Sequence, residues 1–373
     1  MLRLSNLIKS TFEETHSKML NGSIIIWNFT NRCNLLCHHC YSKADIYEKD
    51  TLTLEQIKKT TKELKQSNIN FVIFSGGEPL LRKDIFEIAS YMKEQKIFTY
   101  LSTNGFYINK KNVEKIINTF NYIGISIDGI EDIHDNFRGH KGAYKKAIDS
   151  IKLIQEHGGN VGIRFTLTKE TQDSFYKMFE LVEKLNVKKF YISHLVYSGR
   201  GKENLDIDIS KEKRREYVEY IIDKAFEYYK EKKDIDIVTG NMEMDAIILL
   251  NRFKKDYPHK ALNLEKRLLN WKGNSCGSRL GNINWQGVVK PDPFFPFAIG
   301  NYLQMSFNEI WNNSKNEILN KLRKFPRKIK GKCKICKYIN ICNGGSRARA
   351  YALSGDLWQE DPSCYLTNEE IRS

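Results

Sequence analysis

Between residue 41 and residue 275 the chain contains no cysteine. Its eight cysteines stand at 33, 37 and 40, at 333, 336, 342 and 364, and alone at 276. A disulfide framework spreads its cysteines through a small secreted chain, so this division argues for two separate metal sites instead. Long apolar runs are missing as well; none approaches the roughly 20 residues that cross a bilayer as a helix. The opening MLRLSNLIKSTFEETHSK is polar and charged and lacks the apolar stretch of a secretory signal. The expectation is a cytoplasmic protein with no membrane partner. Lys and Arg number 60 against 45 Asp and Glu, a net charge of +15. No basic run is interleaved with aromatic residues able to stack on bases, so nucleic acid is not an expected partner. The charge suits either an anionic ligand or a solvated, lysine-rich surface.

What is present is a repeating pattern. The 373 residues, 41% hydrophobic, suffice for one large or two modest domains. Over 24–195, short apolar runs end in Gly, Ser, Thr or Asn and are followed by helical periodicity. The predicted strands are 24–30, 71–77, 98–105, 122–129, 161–168 and 189–196, rich in Val, Ile, Phe and Tyr and nearly continuous in apolar residues, as in strands covered on both faces. Between them lie predicted helices, two of them opened by capping boxes, Thr53 with Gln56 and Asp84 with Glu87. Six strand–helix units predict an α/β fold with a parallel sheet. A full eight-fold barrel takes about 250 residues, so the expectation is a partial (β/α)6 TIM-like barrel. Its domain is drawn at 23–200, after an N-terminal extension at 1–22. A helical connector follows at 201–265 with a long charged helix over 211–232. A small C-terminal iron–sulfur domain is drawn at 266–373, with a hairpin over 283–290 turning at Gln286-Gly287.

The first cysteine set, Cys33-Asn-Leu-Leu-Cys37-His-His-Cys40, follows the first strand directly. In barrel folds that is the face where active sites are built. Three thiolates suit a [4Fe–4S] cluster with one iron left open for a small molecule. Structural zinc, with His38 or His39 as fourth ligand, is the alternative. The second set, Cys333-x2-Cys336-x5-Cys342 and then Cys364, offers four thiols, enough for a closed cluster or a zinc ribbon. Cys276 is left over.

CxxxCxxC after a first strand resembles the signature of radical S-adenosylmethionine (SAM) enzymes, and the family's other motifs follow in order at strand ends. The resemblance implies that Cys33, Cys37 and Cys40 hold the cluster that binds and cleaves SAM. Gly76-Gly77-Glu78-Pro79 matches the family's GGEP motif. Its glycines permit close backbone approach, Glu78 is expected to accept from the SAM ammonium, and Pro79 fixes the exit from the turn. Ser102, Asn104, Ser126 and Asp128 fall where the family contacts the ribose and the methionine carboxylate, Arg138 where it pairs with that carboxylate, and Leu195 beside the adenine. The residue before the third cysteine is usually a carbocyclic aromatic near the adenine; here it is His39. The second set resembles the SPASM auxiliary-cluster domain. That pattern has further cysteines where this chain has Asp292 and Ser346, so one auxiliary [4Fe–4S] cluster is expected rather than two.

Further stretches narrow the resemblance. IGISIDGIEDIHDNFRG, VGIRFTLT, FYISHLVYSGRG, GNSCGSRLGNINWQGVVKPD and GSRARAYALSGDLWQEDPSCYLTNEE are similar to enzymes of modified-tetrapyrrole synthesis, over about residues 23–370. The implied reaction starts with a 5′-deoxyadenosyl radical. It removes hydrogen from a carboxylate side chain of a sirohaem-derived macrocycle, and a carbon–carbon bond then breaks. A flavodoxin or ferredoxin would supply electrons. Arg164, Arg200 and Arg347 or Arg349 are the expected anchors for substrate carboxylates. His194 either faces the macrocycle's iron or is a core histidine held by hydrogen bonds. A maturase acting on a ribosomally made peptide is the alternative. Three roles stand open for Cys276: hydrogen donor to a substrate radical, ligand of the auxiliary cluster, or small buried apolar residue.

Overall fold

The computed structural model describes residues 1–15 and 22–372. Among these, eleven strands form one sheet: β1 (Leu2–Arg3), β2 (Ser23–Thr30), β3 (Ile69–Gly76), β4 (Phe98–Thr103), β5 (Tyr122–Ser126), β6 (Val161–Leu167), β7 (Lys189–His194), β8 (Asp236–Gly240), β9 (Leu280–Ile283), β10 (Val288–Lys290) and β11 (Gly300–Asn301). Their order is β1-β8-β7-β6-β5-β4-β3-β2-β9-β10-β11. From β2 to β8 every neighbouring pair is parallel, and all six predicted strands lie in that run. This is the wall of a partial barrel with helices on its outside.

Two features depart from the sequence reading. β8 is a further parallel strand inside a segment read as helical connector; its Asp-Ile-Val-Thr-Gly is short, β-branched and ends in Gly like the others. Asp84 precedes its helix but makes no side-chain cap. Its carboxylate instead accepts from Nε and Nη2 of the buried Arg82, at 2.7 and 3.0 Å. A charged fork is a stronger partner than the helix N–H groups, so the local motif loses to a tertiary one. Thr53 and Gln56 do form their capping box.

The N-terminal residues finish the sheet: β1 pairs antiparallel with β8 and removes an open edge. At the other side β9 pairs parallel with β2, so the C-terminal segment extends the barrel sheet rather than forming a detached layer. The hairpin turns at Gly287, φ +78°, as its Gln-Gly pair predicts. A second bond between the two parts is buried. Arg349 makes two hydrogen bonds to Asp361, at 2.9 and 2.7 Å, and donates to the carbonyl of Leu195 at 2.9 Å, just past β7. Both side chains of that ion pair are essentially unexposed. Removing one partner of such a pair costs about 3–5 kcal/mol because the other charge is left buried. Arg349→Ala is therefore expected to lower unfolding stability by about that amount in urea titration; a loss below about 1 kcal/mol, the size of an exposed pair, would show that Arg349 does not anchor the C-terminal segment to the barrel.

Candidate active site

The cysteine loop after β2 has no regular structure, so its backbone must find partners elsewhere. It does so on two later crossovers. The N–H groups of Leu36 and His38 donate to the carbonyls of Arg138 and Phe137, both at 3.1 Å. Arg200 donates through Nε to the Cys37 carbonyl at 2.7 Å and through Nη1 to that of Ala44 at 3.2 Å. Asn204 donates to the His38 carbonyl at 2.9 Å. Cys33, Cys37 and Cys40 then face one cavity at the C-terminal end of the parallel strands. Burial pushes the Cys33 thiol up to about 12 and raises that of Cys37. Such thiols become thiolates readily only beside a bound cation.

The cavity is rimmed by the expected positions Gly76, Gly77, Ser102, Asn104, Ser126, Arg138, Leu195 and His39. Gly76 has φ +137°, and a Cβ on Gly76 or Gly77 would stand 2.1 Å from the carbonyl oxygen of Thr30 or Arg32. Only glycine allows this turn to lie against the start of the cysteine loop. Among the described residues, buried polar atoms without hydrogen-bond partners belong to residues that line the cavity: Nδ1 of His39, Nε of Arg138 and Oε2 of Glu243. A buried polar atom left unpaired is costly, so such a concentration marks a ligand site.

Three expected contacts are positioned differently. Glu78 is fully buried and does not line the cavity. Its carboxylate accepts from the Thr103 hydroxyl at 2.8 and 2.9 Å, from the N–H of Asn104 at 2.8 Å and from the N–H of Leu80 at 3.0 Å. Burial raises its pKa to about 7 against these bonds. It ties the turns after β3 and β4 together. Pro79 opens the short 3-10 turn behind it. Asp128 is also closed off: it pairs with Arg138 and accepts from the Thr166 N–H at 2.5 Å. Burial opposes its ionisation, yet Arg138 holds its carboxyl below the usual range. Asp128 therefore orients Arg138, which also donates to Cys37 Sγ at 3.5 Å. His39 stacks on Phe137 with ring centroids 4.6 Å apart, and burial lowers its pKa to about 4, so the imidazole is neutral.

Three of the four expected carboxylate anchors are already engaged. Arg200 clamps the cysteine loop, Arg349 pairs with Asp361, and Arg347 donates to the carbonyls of Leu357 and Gln359 at 2.8 and 2.5 Å. Arg164 alone of the four lines the cavity with no hydrogen bond or ion pair among the described residues; it stacks on Tyr191 at 4.7 Å. His194 is held between Asp245 at 3.3 Å and Arg214 at 3.2 Å, with neither ring nitrogen free. Of its two readings, the core histidine is the one observed.

Cys333, Cys336, Cys342 and Cys364 line a second, small cavity with Met244, Leu366 and Ile371. Three thiols at the first cavity and four at the second are donor sets of the kind that hold iron–sulfur clusters. Cys276 lines the first cavity and not the second.

Residues 27–182 match the radical SAM superfamily, and residues 276–337 match SPASM, an iron–sulfur cluster-binding domain. The chain is 37% identical to the pre-heme d1 synthase of Dinoroseobacter shibae over 99% of its own length and 93% of that protein. It is 35% identical to the Fe-coproporphyrin III synthase of Methanosarcina barkeri, over 93% of this chain and 89% of that one. The chain belongs to the radical SAM haem-biosynthesis enzymes. Its cofactors are accordingly SAM, the cluster that binds it and an auxiliary cluster. The fold of this radical SAM chain is similar to that of Streptococcus suis SuiB, solved with bound S-adenosylmethionine: TM-score 0.72, 17% identity, 96% of this chain and 80% of that one. Among the described residues no helix is long and apolar enough to cross a membrane.

Anaerobic reconstitution is expected to give about eight irons and eight sulfides per chain. A Cys33/Cys37/Cys40 triple alanine variant should keep about half; stoichiometric zinc in the tail would contradict the second cluster. Glu78→Ala should leave both clusters intact but weaken SAM binding about ten-fold or more, because the Thr103 and Asn104 donors lose their acceptor and the turn after β4 loosens. An unchanged SAM dissociation constant would show that Glu78 does not shape that turn.

Proposed function

We propose that this enzyme uses a SAM-derived radical to modify or remove carboxylate side chains of a sirohaem-derived tetrapyrrole by carbon–carbon bond cleavage, in the manner of a didecarboxysirohaem deacetylase. The observation that carries the reading is the near full-length relationship to two enzymes named for haem precursors. Relatives whose names mark peptide or bacteriocin maturation are more distant, at 27% identity or below.

In this reading Cys33, Cys37 and Cys40 hold the cluster, with electrons from a flavodoxin or ferredoxin. Backbone at Gly76 and Gly77 and the polar groups of Ser102, Asn104, Ser126 and Arg138 hold SAM, with His39 and Leu195 beside its adenine. Cluster and SAM together supply a carbon radical able to remove hydrogen from an unactivated C–H bond. The protein orients the substrate and keeps out water. Arg164 is the group suited to a substrate carboxylate. Tyr191 supports one face of its guanidinium, and Gly124 leaves room for its stem, since a Cβ there would lie 2.9 Å from its Cδ. A planar fork held this way presents paired donors at little entropic cost.

Anaerobic turnover with didecarboxysirohaem tests the reading. A product lighter by carboxylate-bearing fragments, formed with 5′-deoxyadenosine, is expected; 5′-deoxyadenosine with an unchanged tetrapyrrole mass rejects it. Arg164→Met should weaken tetrapyrrole binding about ten-fold or more, by loss of a charge-assisted contact, and leave SAM affinity unchanged. Equal binding by absorbance titration would remove Arg164 from the substrate site.

A further inference from the structure

Cys276 belongs to neither cysteine set; it packs with Phe295, Leu322 and Leu357 and also reaches a cavity. It is 1% exposed and lines the cavity that Cys33, Cys37 and Cys40 also line, on the wall contributed by the C-terminal segment. Asp292 lines the same wall, and its charge acts on the thiol. Burial and that neighbour push the thiol far above its ordinary pKa, so the S–H bond stays intact. The backbone around it is fixed. Arg327 donates to the Cys276 carbonyl at 2.9 Å and to Asn274 Oδ1 at 2.8 Å, and the same Oδ1 accepts the Cys276 N–H at 3.2 Å.

A second observation points to a ligand at this wall. Asn274 donates to Glu243 Oε1 at 3.0 Å, while Oε2 of the same carboxyl, within the field of the Met1 ammonium, is buried with no hydrogen-bond partner among the described residues, on a residue that is 7% exposed and lines the cavity. Behind the wall, the Asn274 N–H donates to the Cys342 carbonyl at 3.2 Å, which joins this strand entry to the auxiliary cysteine set. Asp292 and Ser346 stand where the SPASM pattern has cysteines, and both line this cavity, so Cys276 lacks the companions that would make it a cluster ligand.

We propose that Cys276 is the hydrogen-atom donor that quenches the carbon radical left when the side-chain bond breaks; this rests on the tetrapyrrole reading above. The S–H bond breaks homolytically, a C–H bond forms on the substrate or the departing fragment, and a thiyl radical remains. One electron from a carrier of the ferredoxin or flavodoxin class and one proton by way of Asp292 restore the thiol.

The test compares reconstituted full-length wild type, Cys276→Ala and Cys276→Ser in D2O. All three should hold the same iron and bind SAM equally. Wild type should place solvent deuterium, carried by the exchanged thiol, in the product or released fragment. Both variants should cleave SAM but form product about ten-fold more slowly or worse, without that label. Serine fills nearly the same space beside Asp292, but its O–H bond does not yield a hydrogen atom, so loss in Cys276→Ser separates donation from packing. Wild-type turnover and labelling in Cys276→Ser, or loss of iron in either variant, would overturn the proposal. If wild type leaves the tetrapyrrole unchanged, the substrate reading fails by itself. Substrate-free reductive cleavage of SAM in D2O then decides the donor: solvent deuterium in 5′-deoxyadenosine is expected for wild type and not for Cys276→Ser, and equal labelling overturns the assignment.

Discussion

A loop without helix or strand must present three thiols to one cavity, and its own backbone cannot hold it in shape. Carbonyls and N–H groups withdrawn from water need partners, and a short irregular segment supplies few of them internally. Here they come from segments more than 90 residues further along the chain. The backbone of Phe137 and Arg138 accepts from one side of the loop. Arg200 and Asn204 donate to the other. Gly199, at φ +59°, lets this clamp approach, because a Cβ there would meet the Cys40 carbonyl at 2.4 Å. The cysteine spacing is a local property of the sequence, but the geometry of the three thiols depends on the completed barrel.

That dependence explains what could be read from sequence and what could not. The six strands were legible because runs covered on both faces are nearly continuous in Val, Ile, Phe and Tyr. The cysteine spacings and the Gly76-Gly77 turn were legible because each is set by chemistry within a few residues. The arginines were not. Arg200, Arg347 and Arg349 are basic residues near glycine turns, and nothing in their neighbours reveals that one clamps a loop, another satisfies carbonyls of the tail, and the third is paired with Asp361. Glu78 shows the same limit at finer scale: its motif was recognisable, but the donors that occupy its carboxylate come from the next strand's turn. β8 had the signals of its siblings and was obscured by the charged residues of Lys230–Asp234 before it, which belong to the end of a helix and the turn that follows.

The C-terminal segment acts on the site mainly by completing the sheet. β9 lies parallel to β2, and Asn282 reaches across to the Ile26 carbonyl at 2.7 Å. This brings Cys276, Asp292 and Phe294 over the mouth of the barrel, where Phe294 meets Tyr41 edge-on at 5.2 Å. A cavity shared by two structural layers excludes water better than an open strand-end crevice, which matters for any reaction with a reactive intermediate. It also places the auxiliary cysteine set behind one wall and the loop of Cys33, Cys37 and Cys40 at another.

Net charge is a poor guide to what that cavity binds. The chain carries an excess of +15, yet the cations nearest the site are mostly neutralised by buried partners: Arg138 by Asp128, Arg349 by Asp361, Arg214 by Asp208. A guanidinium already paired offers little to an incoming carboxylate, because the new contact must replace an existing charge-assisted bond of similar strength. Arg164 differs because its partner is an aromatic face, which supports the guanidinium without neutralising it. In the proposed function, selectivity for an anionic macrocycle turns on Arg164 and its geometry. The scattered lysines outside affect how fast an anionic ligand arrives and not how it is oriented.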